Sequence, residues 1–382
     1  MRMEKAITTA FVAVVAGAVQ FGLTAGARAD VNPPLAALGP PPVPPDNPIT
    51  PEKVELGKML FFDTRLSGDA SVACATCHEP DQGWGFSNDI SRGYPGTLHW
   101  RNSQSIVNTA YYAKLFWAGA SKSLEAQAPS AARGAVAGNG ERDMMEARLA
   151  FIPEYRERFN KVFGDIWPKL SNAWKAIAAF ERTMVQTDTP FDRFMRGDKN
   201  ALSEEAKRGM ALFTGKAQCI ECHNGAFFTD QKYYNIGVPS AERWDEDGLA
   251  QVTFRYEQYS KGVTEEIYRT IKDDAGLYYQ TKRPEDMGKF RVPSLRYTVY
   301  TAPYMHNGAF FDLREVVEFY NNGGGENEFA ATKTKLIKPL NLTDEEMDDL
   351  VAFIESLSGA EIKMKTPKLP PYAPLPDVAS AN

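Results

Sequence analysis

The four cysteines of this 382-residue chain all fall in two pentapeptides, CATCH at 74–78 and CIECH at 219–223. Two of its four histidines, His78 and His223, close those pentapeptides. Paired thiols of this kind can form a disulfide, hold zinc, or add to the vinyl groups of haem. The adjacent histidine separates the three. C-x-x-C-H is the attachment pattern of c-type haem, in which two thioethers hold the porphyrin edge and the neighbouring imidazole meets the iron from one face. A disulfide gives the duplicated histidine no task, and zinc requires a fourth ligand for each motif or a site joining both. Cys74, Cys77 and His78 therefore read as one haem site, and Cys219, Cys222 and His223 as a second.

Each motif follows a helix of one design. ITPEKVELGKMLFF (49–62) offers Thr50 as cap, Pro51 at the first helical position, and Val54, Leu56, Met59, Leu60 and Phe61 on a core-facing side. LSEEAKRGMALFTG (202–215) repeats it with Ser203 as cap and Met210, Leu212 and Phe213 apolar, and both carry G-x-x-L-F. The last strong helix starts at Thr343, with Glu346 completing a capping box, and runs to Gly359; packed across the helix after Ser203, it would close the second half. Few segments alternate with period two. The expected fold is mostly α: two cytochrome-c-like haem domains with few short strands and long loops.

The ends carry other signals. Arg2 and Lys5, an apolar run from Ala6 to about Ala25, and Ala27-Arg28-Ala29 make residues 1–29 a signal peptide, with an uncleaved anchor as the alternative. Cleavage leaves a chain with no membrane span, exported to the periplasm. It also takes the formal charge from −6 to −8, which with no basic cluster argues against nucleic acid or anionic membrane partners. Residues 30–50 form a proline-rich strap along the surface, 51–200 the first haem domain, 201–362 the second, and 363–382 a proline-rich tail. At 43% hydrophobic residues the chain can fill two cores.

From Lys289 the chain reads KFRVPSLRYTVYTAPYMHNGAFFDLREVVEFYNNGG. With the two haem motifs and RNSQSIVNTAYYAKLFWAGASKSLEAQA (101–128), this resembles the bacterial diheme cytochrome c peroxidase superfamily over roughly residues 50–362, and within it the MauG type. In ordinary diheme peroxidases a Met fourteen residues after the His of the P-Y-x-H-x-G segment ligates the second haem. Counting from His306 gives Tyr320, the MauG-type residue. A thioether favours the ferrous state, whereas a hard phenolate favours ferric and higher states. The resemblance further assigns Trp117 as a relay between haems, and Asn102 (side-chain amide), Thr301 and Pro303 (backbone carbonyls) as ligands of an interhaem Ca²⁺. His306 is implied to be structural, near haem propionates. Tyr94, and not His99, falls where ordinary peroxidases carry a removable distal His, so the first haem's distal face is read as open to H₂O₂.

Two positions depart from the family. Peroxide activation uses a Gln ten residues after the Trp and a Glu ten further on; Gln127 is present, but Ala137 takes the second place and Glu141 is the nearby substitute acid. The family's W-D-G-R is W-A-G-A here. Three functions follow. A MauG-like oxidase would use H₂O₂, or O₂ with electrons, to form a high-valent diheme state that oxidises Trp or Tyr of a partner protein, as in tryptophan tryptophylquinone maturation of methylamine dehydrogenase. A cytochrome c peroxidase would reduce H₂O₂ to water with electrons from a small cytochrome c or cupredoxin. A non-catalytic diheme carrier would only pass electrons.

Overall fold

In the computed structural model, residues 33–372 are described. The signal-peptide reading of 1–29 lies outside them, as do 30–32 and 373–382. The chain is mostly helical. Its only sheet among the described residues pairs Tyr233–Tyr234 antiparallel with Phe290–Arg291.

Two helix crossings, one in each half, organise the cores. The Pro51–Phe61 helix begins where Thr50 accepts the Lys53 N–H at 3.3 Å, with Pro51 at the first position. It buries Leu56, Met59, Leu60 and Phe61 against the Leu170–Glu181 helix. A Cβ on Gly57 would stand 1.9 Å from the Ala176 carbonyl oxygen, so only glycine permits the backbones to approach this closely. The Glu204–Thr214 helix, capped by Ser203, crosses the Asp344–Glu355 helix in the same way, and a Cβ on Gly209 would stand 1.9 Å from the Asp349 oxygen. The repeated G-x-x-L-F thus places a glycine at the crossing and a phenylalanine in the core. Phe61 packs with Trp84 and Phe180 in the first core, and Phe213 with Phe228 and Phe353 in the second. Each such fully buried ring contributes roughly 1.5–3 kcal/mol. The expected box at Thr343 and Glu346 is formed.

A third core, which the sequence reading did not single out, gathers Trp244, Phe254, Ile271, Tyr278 and Tyr279 beside the Gly248–Ser260 helix.

Strap and tail are more deeply engaged than a surface tether. The Leu38 N–H donates to Asp192 Oδ1 at 2.9 Å, and buried Asn47 donates to Glu125 Oε1 at 2.7 Å and the Lys175 carbonyl at 2.9 Å. Asp192 also takes the Arg296 guanidinium through two 2.9 Å bonds. Sequence reading ended globular structure near 362, yet Ile362, Met364 and Leu369 pack on the first core. Side chains of the first core tie this segment's carbonyls down: Trp84 Nε1 donates to the Ile362 carbonyl at 2.8 Å, and Arg65 Nη1 to the Pro370 carbonyl at 2.9 Å.

Candidate haem sites

The second motif begins in the Cys219–Glu221 turn, and the His223 N–H closes it on the Cys219 carbonyl at 2.9 Å. His223 Nδ1 lies 3.1 Å from the Phe228 carbonyl, so this nitrogen donates and Nε2 is the one left for a metal. Cys219, Cys222 and His223 line a cavity of about 720 Å³. Tyr320 lines it too, carried by the Leu313–Asn321 helix, whose N-terminus is fixed by an Asp312–Glu315 capping box. Burial, with Cys222 and Cys219 close by, pushes the Tyr320 phenol far above its ordinary value. Left to itself it stays protonated; only a strong Lewis acid such as ferric iron would hold it as phenolate.

The cavity also suits the porphyrin's acidic edge. Arg291, 2% exposed, lines it with its guanidinium 3.6 Å over the Tyr112 ring, Nη2 donating to Gln104 at 3.1 Å and Nε without a partner. A fixed buried cation there is matched to a carboxylate such as a haem propionate. Trp117, Asn102, Thr301, Pro303 and His306 line the same cavity. Trp117 Nε1 donates to the Asn102 carbonyl at 2.9 Å, and the Asn102 N–H donates to the His306 carbonyl at 2.8 Å. His306 stacks on Phe290 at 3.6 Å, and burial together with Arg101 depresses it to about 3 against the pull of Asp274, so it is neutral. His99 stacks on Trp100 instead.

At the first motif the Cys74–Cys77 turn is held by Thr76 Oγ1, which accepts the Ala73 N–H at 3.0 Å, and the His78 N–H returns to the Cys74 carbonyl at 3.0 Å. Phe61 flanks the His78 ring at 6.3 Å. Burial lowers the basicity of His78 and of His223, keeping both imidazoles neutral as ligation requires. All four cysteines are free, and burial pushes Cys74 and Cys219 to about 12 and Cys77 and Cys222 to about 11. Among the described residues no cluster of three His, Cys, Asp or Glu could hold a metal ion, and each motif follows its two thiols directly with a histidine. The donor set therefore fits two thioether-bound haems and not zinc.

Gln127 is partly buried on the Leu124–Ala132 helix, which packs against Leu170–Glu181. The Tyr94 N–H donates to the Ala137 carbonyl at 2.8 Å, joining the two loops that hold these positions. Glu141, the substitute acid expected from the sequence, is exposed, and its carboxylate accepts the Arg142 N–H at 3.0 Å as the cap of its own helix. Sequence reading missed Glu181. It is 5% exposed, with Oε2 lacking a partner, and lies close enough to Cys74 to raise that thiol. The available signal was a carboxylate inside the apolar run AIAAF-E, where a helix turned fully inward has no solvent face for it.

A family model described as di-haem cytochrome c peroxidase matches residues 51–200. The chain is 57% identical over 353 residues to the cytochrome-c peroxidase IdrP1 of Pseudomonas sp. (strain SCT), covering 91% of this chain and 92% of that protein. It is 34% identical over 331 residues to the methylamine utilization protein MauG of Methylophilus methylotrophus, covering 86% and 89%. Among solved structures it is similar to a MauG-like protein associated with microbial copper homeostasis, with a TM-score of 0.71 at 30% identity over 84% of this chain and 93% of that one. The paired C-x-x-C-H sites, the helical fold and these similarities together make the chain a member of the diheme cytochrome c peroxidase/MauG family of oxidoreductases.

Proposed function

We propose that the chain is an exported, periplasmic peroxidase that reduces H₂O₂ to water at the Cys74–His78 site, with electrons from a small cytochrome c or cupredoxin. One observation carries this reading: Tyr320 shares a cavity with His223, Cys219 and Cys222. With both His223 and Tyr320 available to the second haem, the first would be the one left for peroxide. The name of the 57% identical relative, cytochrome-c peroxidase, supports the same choice. When bound, the two haems supply an iron for peroxide and a second redox centre that exchanges electrons with it.

The chain's residues set the rest. His78 and His223 would each ligate a haem iron, and Tyr320 would be a further ligand for the second. Trp117, pinned by its N–H to Asn102, keeps an aromatic ring beside the second cavity as the relay towards the first. Gln127 orients peroxide by hydrogen bonding; its amide does not exchange protons at a useful rate. Asn102 binds the Asn88 carbonyl through Nδ2 at 2.9 Å, which turns Oδ1 away from it, and that oxygen with the Thr301 and Pro303 carbonyls supports Ca²⁺ at this cavity. The folding units we assign are 51–200 and 201–362.

A second reading, oxidation of Trp or Tyr on a partner protein in the MauG manner, is favoured by Tyr320 itself, because an anionic ligand suits storage of oxidising equivalents rather than their rapid refilling. Peroxide turnover with a prereduced small cytochrome c decides between them. Sustained oxidation of the cytochrome, at two per H₂O₂, is expected. No oxidation of the donor, alongside a long-lived spectral change that a partner's Trp or Tyr discharges, would select the second reading.

A further inference from the structure

Breaking the peroxide O–O bond with release of water needs a proton at the outer oxygen. Gln127 cannot supply one, Ala137 carries none, and Glu141 faces solvent. Among the described residues two glutamates keep a buried oxygen without a partner, Glu181 and Glu257, and Glu257 is ion-paired with Lys261. Glu181 has no such cation. Its neighbour Arg182 is committed to Glu125 at 2.6 and 2.8 Å. Glu181 ends the helix that packs against the Gln127 helix, and it is near enough to Cys74, the thioether anchor, to influence that thiol.

We propose that Glu181 is the proton source of the first-haem pocket, an inference that rests on reading that pocket as the peroxide site. The step balances as follows. The O–O bond breaks with two electrons from the haem pair. The outer oxygen leaves as water with its own proton and the one from Glu181, and the proton shed by the inner oxygen restores the carboxyl. Burial rather than the neighbouring charges keeps the carboxyl neutral before it acts. On its own helix, Arg182 favours ionisation. From the Gln127 helix, Glu125 opposes it. On the Pro51–Phe61 helix, Lys53 is held by Asn47 Oδ1 at 3.0 Å and the Pro48 carbonyl at 2.6 Å. From the haem turn, Cys74 lies close to it and, as a thioether anchor, would carry no charge. Burial, the largest influence, pushes Glu181 up to about 8.

The test uses the protein carrying both haems, mixed with limiting H₂O₂ in stopped flow. Glu181→Gln keeps the shape and removes the proton. It should slow the first-haem absorbance change on the order of 10²-fold and abolish its decline above about pH 8, with resting optical and EPR spectra unchanged. A rate within about twofold of wild type, with the same pH profile, overturns the proposal. Infrared titration gives a readout that needs no turnover. Wild type should show a buried, D₂O-sensitive carboxyl band that is lost as pH rises through about 8 and is missing in Glu181→Gln. Absence of that band at neutral pH overturns the proposal even if the variant loses haem. A wild-type first haem that ignores peroxide while the band is present refutes the peroxide-site reading instead.

Discussion

The two haem halves share a scaffold and differ in what faces the iron. Both use a capped helix, a glycine at the crossing and a phenylalanine one turn on, and both bury a neutral histidine directly after paired thiols. Beyond that the second half encloses its motif in a large cavity with Tyr320, Arg291 and Trp117. The first carries Gln127 on the Leu124–Ala132 helix and sets Glu181, with Oε2 unpartnered, close to Cys74. A duplicated framework can thus keep its anchoring chemistry while the opposite face diverges, because that face is built from segments outside the duplicated helix and turn.

Two ion pairs, one joining the halves and one within the first, should also break differently. The Arg296–Asp192 pair is 1% and 0% exposed, so Asp192→Ala, which strands a buried guanidinium and frees the strap at Leu38, should cost about 3–5 kcal/mol in chemical denaturation. Its counterpart Arg182–Glu125 is less enclosed at 6% and 21%, and Glu125→Ala should cost about 1–3 kcal/mol. Equal losses would remove this contrast.

Next comes pH. Glu181 is raised from the ordinary 4.5 to about 8, so the folded state holds a proton that the unfolded chain gives up more readily. The stability tied to that proton is complete below about 4.5 and is lost as pH climbs to about 8. Wild type should therefore lose up to about 1.4 kcal/mol per pH unit relative to Glu181→Gln across that window, and nothing more above it. Parallel stability curves for the two proteins would count against a buried neutral carboxyl.

Tyr320→Met should raise the reduction potential of the second haem alone, on the order of 0.1 V, in a spectroelectrochemical titration that resolves both haems. A shift of the first haem instead would misplace the ligand. Smallest of the expected effects are those of Gly57→Ala and Gly209→Ala, about 1–3 kcal/mol each in thermal unfolding, since the obstructing atom in both cases is a backbone oxygen that a rotamer change cannot relieve.

What could be read in the sequence was local. The C-x-x-C-H motifs, the caps at Thr50, Ser203 and Asp312, and the Thr343–Glu346 box each depend on residues within a turn of one another. Tyr320 was picked out by its register to His306, and both line the same cavity. What escaped depends on distant partners. The G-x-x-L-F repeat was visible, but that Gly57 must clear Ala176 and Gly209 must clear Asp349 was not. Asn47 looked like part of a solvated strap because its acceptors lie in two other helices. Glu141 looked like a substitute acid by counting, whereas a helix start beside it claimed its carboxylate. Glu181 was passed over because its meaning comes from what does not pair with it.

The most direct measurement adds one equivalent of H₂O₂ to the diferric protein, without donor, and records optical and EPR spectra of both haems over time. The first-haem signal should change at once and the second-haem signal should follow, since peroxide enters at the half without Tyr320 and draws electrons from the half that has it. A second-haem signal that responds first, or that stays unchanged throughout while the first changes, would contradict this division of roles.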